Sequence, residues 1–156
     1  MVDWFGARAL ARWMSDETGL RWRLPTETER EKAARGVDGR VYPWGRFLDP
    51  TFCCYRGAHV GRWMPSDVQS FPHDVSVYGV RGVAGNVMDW CLDPHSPDGE
   101  VADGEAAELP SDVAGLRVHR GGRWNGTDGG ARCATRMSSD PRVRTSFLGV
   151  RLVRDP

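Results

Sequence analysis

Apolar positions recur at helical spacing in the first part of the chain, and beyond Gly36 that spacing breaks up. Ala7, Leu10, Ala11 and Met14 share one face of a helix that Asp3 can cap and Thr18 and Gly19 end, while Arg8 and Arg12 lie four apart on another face. A second helix starts at Thr26. With Glu29 it forms a capping box, in which a hydroxyl and a carboxylate satisfy the orphan amides of the first turn, and Gly36 is its stop. After Gly36 short apolar pieces alternate with Gly, Pro, Asp and Asn, with a turn at Asp38 and Gly39, so the remainder reads as strand and loop. Val118–Trp124 and Leu148–Val153 are the clearest late strands; Gly121 and Gly122 in the former mark a place where a large side chain would not fit. Residues 93 to 115, acidic and poor in apolar side chains, predict a long exposed loop.

Composition sharpens this picture. A chain of 156 residues forms one domain, burying roughly two thirds of the surface its unfolded form exposes. Nineteen Gly, ten Pro and seven Trp predict a turn-rich domain held together by large rings, not a helical bundle. Formal charge is zero, which removes the whole-molecule field that would draw nucleic acid or an anionic membrane. The charges are unevenly spread: Asp89 to Asp112 holds eight carboxylates and no Lys or Arg, and Leu116 to Pro156 holds nine Arg against three Asp. The two segments are expected to neutralise each other or to face solvent. Cys53, Cys54, Cys91 and Cys133 show no CxxC spacing and no histidine pair beside them, so neither a zinc site nor a disulfide framework is indicated. His59, His73, His95 and His119 are scattered, and each is expected in a loop or on a strand surface. With no basic and apolar leader and no run of ~20 apolar residues, the expectation is a cytoplasmic protein.

Six motifs follow one another in fixed order. They are RLPTETEREKAARG at Arg23–Gly36, YPWG at Tyr42–Gly45, DVSVYGVRGVAGNVMDW at Asp74–Trp90, RVHRGGRW at Arg117–Trp124, RCATR at Arg132–Arg136 and LGVRL at Leu148–Leu152. Together they resemble the formylglycine-generating, or sulfatase-modifying, family. The resemblance implies a C-type-lectin-like α+β fold, with two helices, twisted antiparallel strands and much irregular loop. Family members usually carry a further N-terminal stretch before the part matched by Val2–Trp4. The expectation is therefore a single domain over 1–156, either a minimal version or a fragment, with strand edges that a partner or a second copy could cover.

The resemblance also frames the chemistry. Oxidising members hold copper on two thiolates shortly after the double glycine, and the matching stretch here, Asn125–Ala131, contains no cysteine. Another branch uses an iron held by three histidines from an extra helical domain, and the histidines here have no such spacing. Copper is thus unlooked-for, and the expected domain has lost the oxidase chemistry. Structural calcium is the cofactor that the resemblance does suggest, on the carbonyls of Gly85 and Val87 and the carboxylate of Asp89, although Gly82 replaces the usual Asp. A second calcium position has Cys54 where an Asn is usual. Trp44, Trp90 and Trp124 are expected core anchors. Arg120, Arg132, Arg136 and Arg151 are expected to pair with buried carboxylates such as Glu27. Arg30 replaces a bulky aromatic, which predicts looser or more exposed packing there.

Two functions stand beside each other. The first is a non-catalytic module that binds a protein or small molecule through loops 123–131 and 137–147. Related domains accompany bacterial kinases and defence proteins, and serve as variable proteins of diversity-generating retroelements. Contact residues expected on this reading are Arg123, Trp124, Asn125, Thr127, Asp128, Met137, Arg142, Arg144, Ser146 and Phe147. The second is a metal-dependent oxidase of the formylglycine-generating or sulfur-histidine type, with relocated thiols among the four cysteines.

Overall fold

The computed structural model describes residues 1–58, 64–97 and 115–155. Helix α1 (Trp4–Thr18) begins where the Asp3 carboxylate accepts the Gly6 amide at 2.7 Å, and it stops at Gly19, whose φ of 67° is left-handed. Trp4, Ala7 and Ala11 turn inward, whereas Leu10 is 38% exposed and lies off the buried stripe assigned to it from its spacing. Helix α2 (Glu27–Arg35) has the capping box that its sequence predicts, with both reciprocal bonds formed between Thr26 and Glu29.

Strands β1 (Trp22–Arg23), β2 (Met88–Pro94), β3 (Arg117–Arg120), β4 (Arg136–Ser139), β5 (Leu148–Gly149) and β6 (Val153–Arg154) complete the order. Four of them form one sheet, β4-β3-β2-β5, and β1 pairs with β6 in a separate ribbon. All pairings are antiparallel except β2 with β5, which is parallel. Each expected late strand is shorter than its apolar pattern. Val118–Trp124 leaves the sheet at Gly121, where φ is 94°, and Leu148–Val153 divides into β5 and β6, which serve different sheets. The predicted acidic loop begins later than its composition suggests, since Asp93 and Pro94 belong to β2; residues 98–114, like His59, lie outside the described residues.

One core joins the α1 face to the sheet through Trp4, Ala7, Leu24, Met88, Trp90 and Leu148. A second gathers Tyr42, Cys53, Tyr55, Ala84 and Ala131, with Trp44 packed against it. Trp90 is fully buried, while Trp44 and Trp124 are half-buried.

Arginine–carboxylate pairs bind α2 to the sheet. Glu27, 1% exposed, accepts Arg120 at 2.7 Å and Arg136 at 2.6 Å, and Arg120 also reaches Glu31 at 2.6 Å. Arg132 departs from the expected pattern: it is exposed and forms no ion pair among the described residues, because Ala131 and Cys133 take the inward positions on either side of it. Arg30 departs too. Far from loosening the packing, it is 2% exposed, and its Nε lies 2.7 Å from Asp89 Oδ2. His119 is likewise 2% exposed rather than on a surface, because β3 is the inner neighbour of β2 and β4.

Candidate functional site

A turn at residues 83–87 is the hub around which the loops are arranged. The buried Asp74 carboxylate accepts the amides of Val83, Ala84 and Gly85 at 3.0 to 3.2 Å. Asn86 follows with φ 69°; its side chain bonds both backbone groups of Ser66, and its amide donates to Cys54 O at 2.7 Å. Its carbonyl accepts Trp124 N–H at 2.8 Å, and Arg56 N–H donates to Gly126 O at 3.1 Å. Segments far apart in sequence are thus held side by side by main-chain bonds. The double glycine is what permits it, since a Cβ on Gly122 would stand 2.1 Å from Ala84 O.

Where these segments meet there is a cavity of about 240 Å³. Arg123, Asn125, Thr127 and Met137 line it, which brings together four of the side chains singled out from the sequence. The others go elsewhere. Trp124 Nε1 donates to Ser146 O at 3.2 Å, and Phe147 lies beneath the Arg123 guanidinium, 4.6 Å from its ring centroid. Asp128 opens a short 3-10 turn, Asp128–Ala131, and accepts the Gly129 amide at 2.9 Å. Arg142 lies beside Asp140 at 3.9 Å, and Arg144 is engaged with Asp3 at 2.7 Å, which ties the last loop to the α1 cap. Arg56, Met88 and Thr135 line the cavity as well, and were not singled out. Met88 was open to inference as an inward strand position at the end of a motif; nothing in the sequence links Arg56 to the double glycine.

The calcium set does not fit its ion. Asp89 Oδ2 accepts both Arg30 Nε at 2.7 Å and Arg151 Nε at 3.0 Å, and Arg151 Nη2 donates to the carbonyls of Arg81 and Gly82 at 3.0 and 3.2 Å. Burial alone would raise the Asp89 carboxyl, but the two guanidinium groups outweigh it and hold its pKa below the ordinary aspartate value. Two fixed cations occupy the surroundings of the carboxylate that calcium would need, while Gly85 and Val87 offer only carbonyls. Copper fits no better. Among the described residues the cavity wall has no cysteine, histidine or carboxylate, and its charged side chains are cationic. All four cysteines are buried and form no disulfide among the described residues, and burial pushes their thiols up, Cys133 to about 11, so the metal-binding thiolate is disfavoured. Among the described residues no three His, Cys, Asp or Glu side chains form a metal-binding group. Nor is any described helix long and apolar enough to cross a membrane.

Fold, double-glycine turn and loop-built cavity together define a C-type-lectin-like domain of the formylglycine-generating type. The chain belongs to the sulfatase-modifying factor enzyme 1-like domain family, which matches residues 1–156. It is 32% identical over 157 residues to the serine/threonine-protein kinase pkn1 of Chlamydia pneumoniae, covering 99% of this chain and 23% of that protein. It is 34% identical over 164 residues to the inactive C-alpha-formylglycine-generating enzyme 2 of Bos taurus, covering 96% of this chain and 48% of that protein. Among solved structures, PvdO from Pseudomonas aeruginosa superposes with a TM-score of 0.84 at 28% identity, covering 99% of this chain and 60% of that one. Treponema denticola variable protein 1 superposes with a TM-score of 0.81 at 25% identity, covering 99% and 70%. The chain therefore spans about a quarter of the kinase and about half of the formylglycine-generating relative.

Proposed function

We propose that this domain is a non-catalytic binding module whose ligand, a protein or a small molecule, enters the cavity beside the double glycine. The observation that carries the reading is the make-up of the wall among the described residues: two arginines, two methionines, two threonines, one asparagine and four glycines. Such groups bind and orient. They include no thiolate, imidazole or carboxylate that could hold a redox metal or move a proton. Kinship with a protein whose name calls it inactive, and with one called a variable protein, supports the same reading. A retroelement variable protein or a kinase- or defence-associated sensor is its finer form. For the former, the encoding locus must carry a reverse transcriptase and a near-copy of the 3′ end.

Two measurements test the module. Incubation with copper, oxygen and a CxPxR peptide should leave the peptide mass unchanged. Displayed peptides selected on the wild-type domain should lose binding to Thr127→Trp, which plugs the cavity at an exposed position whose side chain makes no capping bond. Formylglycine in the peptide, or equal binding to the plugged variant, overturns the proposal.

A further inference from the structure

Arg123 stands in the wall of the cavity, where no Asp or Glu is found among the described residues. Elsewhere inward arginines meet carboxylates: Arg23 meets Glu29, Arg30 and Arg151 meet Asp89, and Arg120 and Arg136 meet Glu27. Arg117, buried without an ion pair among the described residues, donates instead to Leu92 O at 3.2 Å and lies 4.6 Å from the Trp4 ring centroid. Arg123 has neither solution. It is half-buried and forms no ion pair among the described residues, and its one described side-chain partner is the Phe147 ring. Stacking fixes the direction of a guanidinium but leaves its charge and its donors unanswered.

A second unanswered group lies in the same wall. Asn125 Oδ1 is buried and accepts no hydrogen bond among the described residues. A buried acceptor without a donor is costly, and a ligand N–H would remove the cost. Gly130, where an added Cβ would meet nothing within 4 Å, leaves the main chain bare at one point of the wall, so that a ligand backbone can come close there. The volume, about 240 Å³, falls below the about 300–1,000 Å³ of drug-sized sites, and it suits one residue-sized group.

We infer that the cavity takes a carboxylate-bearing group of amino-acid size, its carboxylate against the Arg123 guanidinium and an adjacent N–H donated to Asn125 Oδ1. This rests on the binding role proposed above and names its ligand chemistry. The carboxylate could be an acidic side chain or the terminus of a peptide. The two methionines, Met88 and Met137, supply an apolar lining for the aliphatic part of either.

Three probes differ only in where a carboxylate stands: N-acetyl-glutamate amide has one on its side chain, N-acetyl-glutamine has one at its terminus, and N-acetyl-glutamine amide has none. Titrated into the full chain and followed by amide resonances of residues 121–130 and 135–137, one of the first two should bind at least about ten-fold more tightly than the third, as a charge-assisted bond requires. Which one does so identifies the source. Arg123→Gln should abolish that preference. Asn125→Asp, nearly isosteric and with a negative charge at the acceptor, should weaken carboxylate binding independently, which keeps the test open if the first variant does not fold. Equal binding of all three probes, binding of none, or indifference to both variants overturns the assignment. Display-selected peptides that lack a carboxylate yet fail on Thr127→Trp would sink this inference and leave the binding role standing. Formylglycine formation would sink both.

Discussion

His119 lies on β3 with its Nε2 3.0 Å from Ser139 Oγ and its Nδ1 buried without a partner among the described residues. Burial pushes its pKa down from 6.5 to about 4. The folded protein therefore refuses a proton that the unfolded chain accepts. Stability is complete above pH 6.5 and is lost as pH falls towards 4, by roughly 3 kcal/mol over the whole window. Glu29 answers lower down: hydrogen bonding to Arg23 outweighs its burial and holds it at about 2, so its contribution is lost only below about 4.5. Melting temperature measured in steps from pH 7 to 4.5 should fall in the wild type and fall less steeply in His119→Gln. Equal slopes would show that the imidazole is not what titrates. Sequence reading put this histidine on a surface, because its partner stands 20 positions away and a polar residue in a four-residue strand gives no sign of which face it takes.

At the scale of elements, α2 is both the most legible piece and the most surprising one. Its boundaries follow from local chemistry, Thr26 with Glu29 at one end and Gly36 at the other, and local chemistry is what a sequence displays. Its attachment was legible in part. Arg120 and Arg136 meet Glu27 as their place in the motifs implied, whereas Arg30 meets Asp89 across 59 positions, and no periodicity reports such a contact. Removing one member of a buried ionic cluster strands the rest, which costs about 3–5 kcal/mol. Glu27→Ala, which leaves Arg120 and Arg136 facing an empty position, should lower the melting temperature sharply. Arg132→Ala, exposed and outside the cluster, should stay within about 0.5 kcal/mol of wild type. Similar losses in the two variants would refute the division drawn between them.

For the molecule as a whole, the fixed guanidinium groups of Arg30 and Arg151 make a divalent ion unnecessary at Asp89. Thermal unfolding in millimolar calcium and in excess chelator should coincide; a calcium-dependent rise that disappears in Asp89→Asn would be contrary to this. Family motifs carried the overall α+β architecture, because each motif preserves a turn or a packing position. They did not carry the cavity, whose wall draws on residues near 56, 88, 122 and 136 that meet only through sheet pairing and main-chain bonds between segments far apart in sequence. Within the binding loops, the clasp between Arg144 and Asp3 was hidden for the same reason, with 141 positions between the partners.

The parallel pairing of β2 with β5 has a bearing on synthesis. The central strand waits for one neighbour from residues 117–120 and for the other from residues 148–149, and Trp22 waits for Arg154. A growing polypeptide therefore holds its Trp90 strand without the β3 flank until residues 117–120 are made, and without the β5 flank until residues 148–149 follow. Pairing of segments so far apart in sequence is slow, and it leaves strand edges open until the later partners are made.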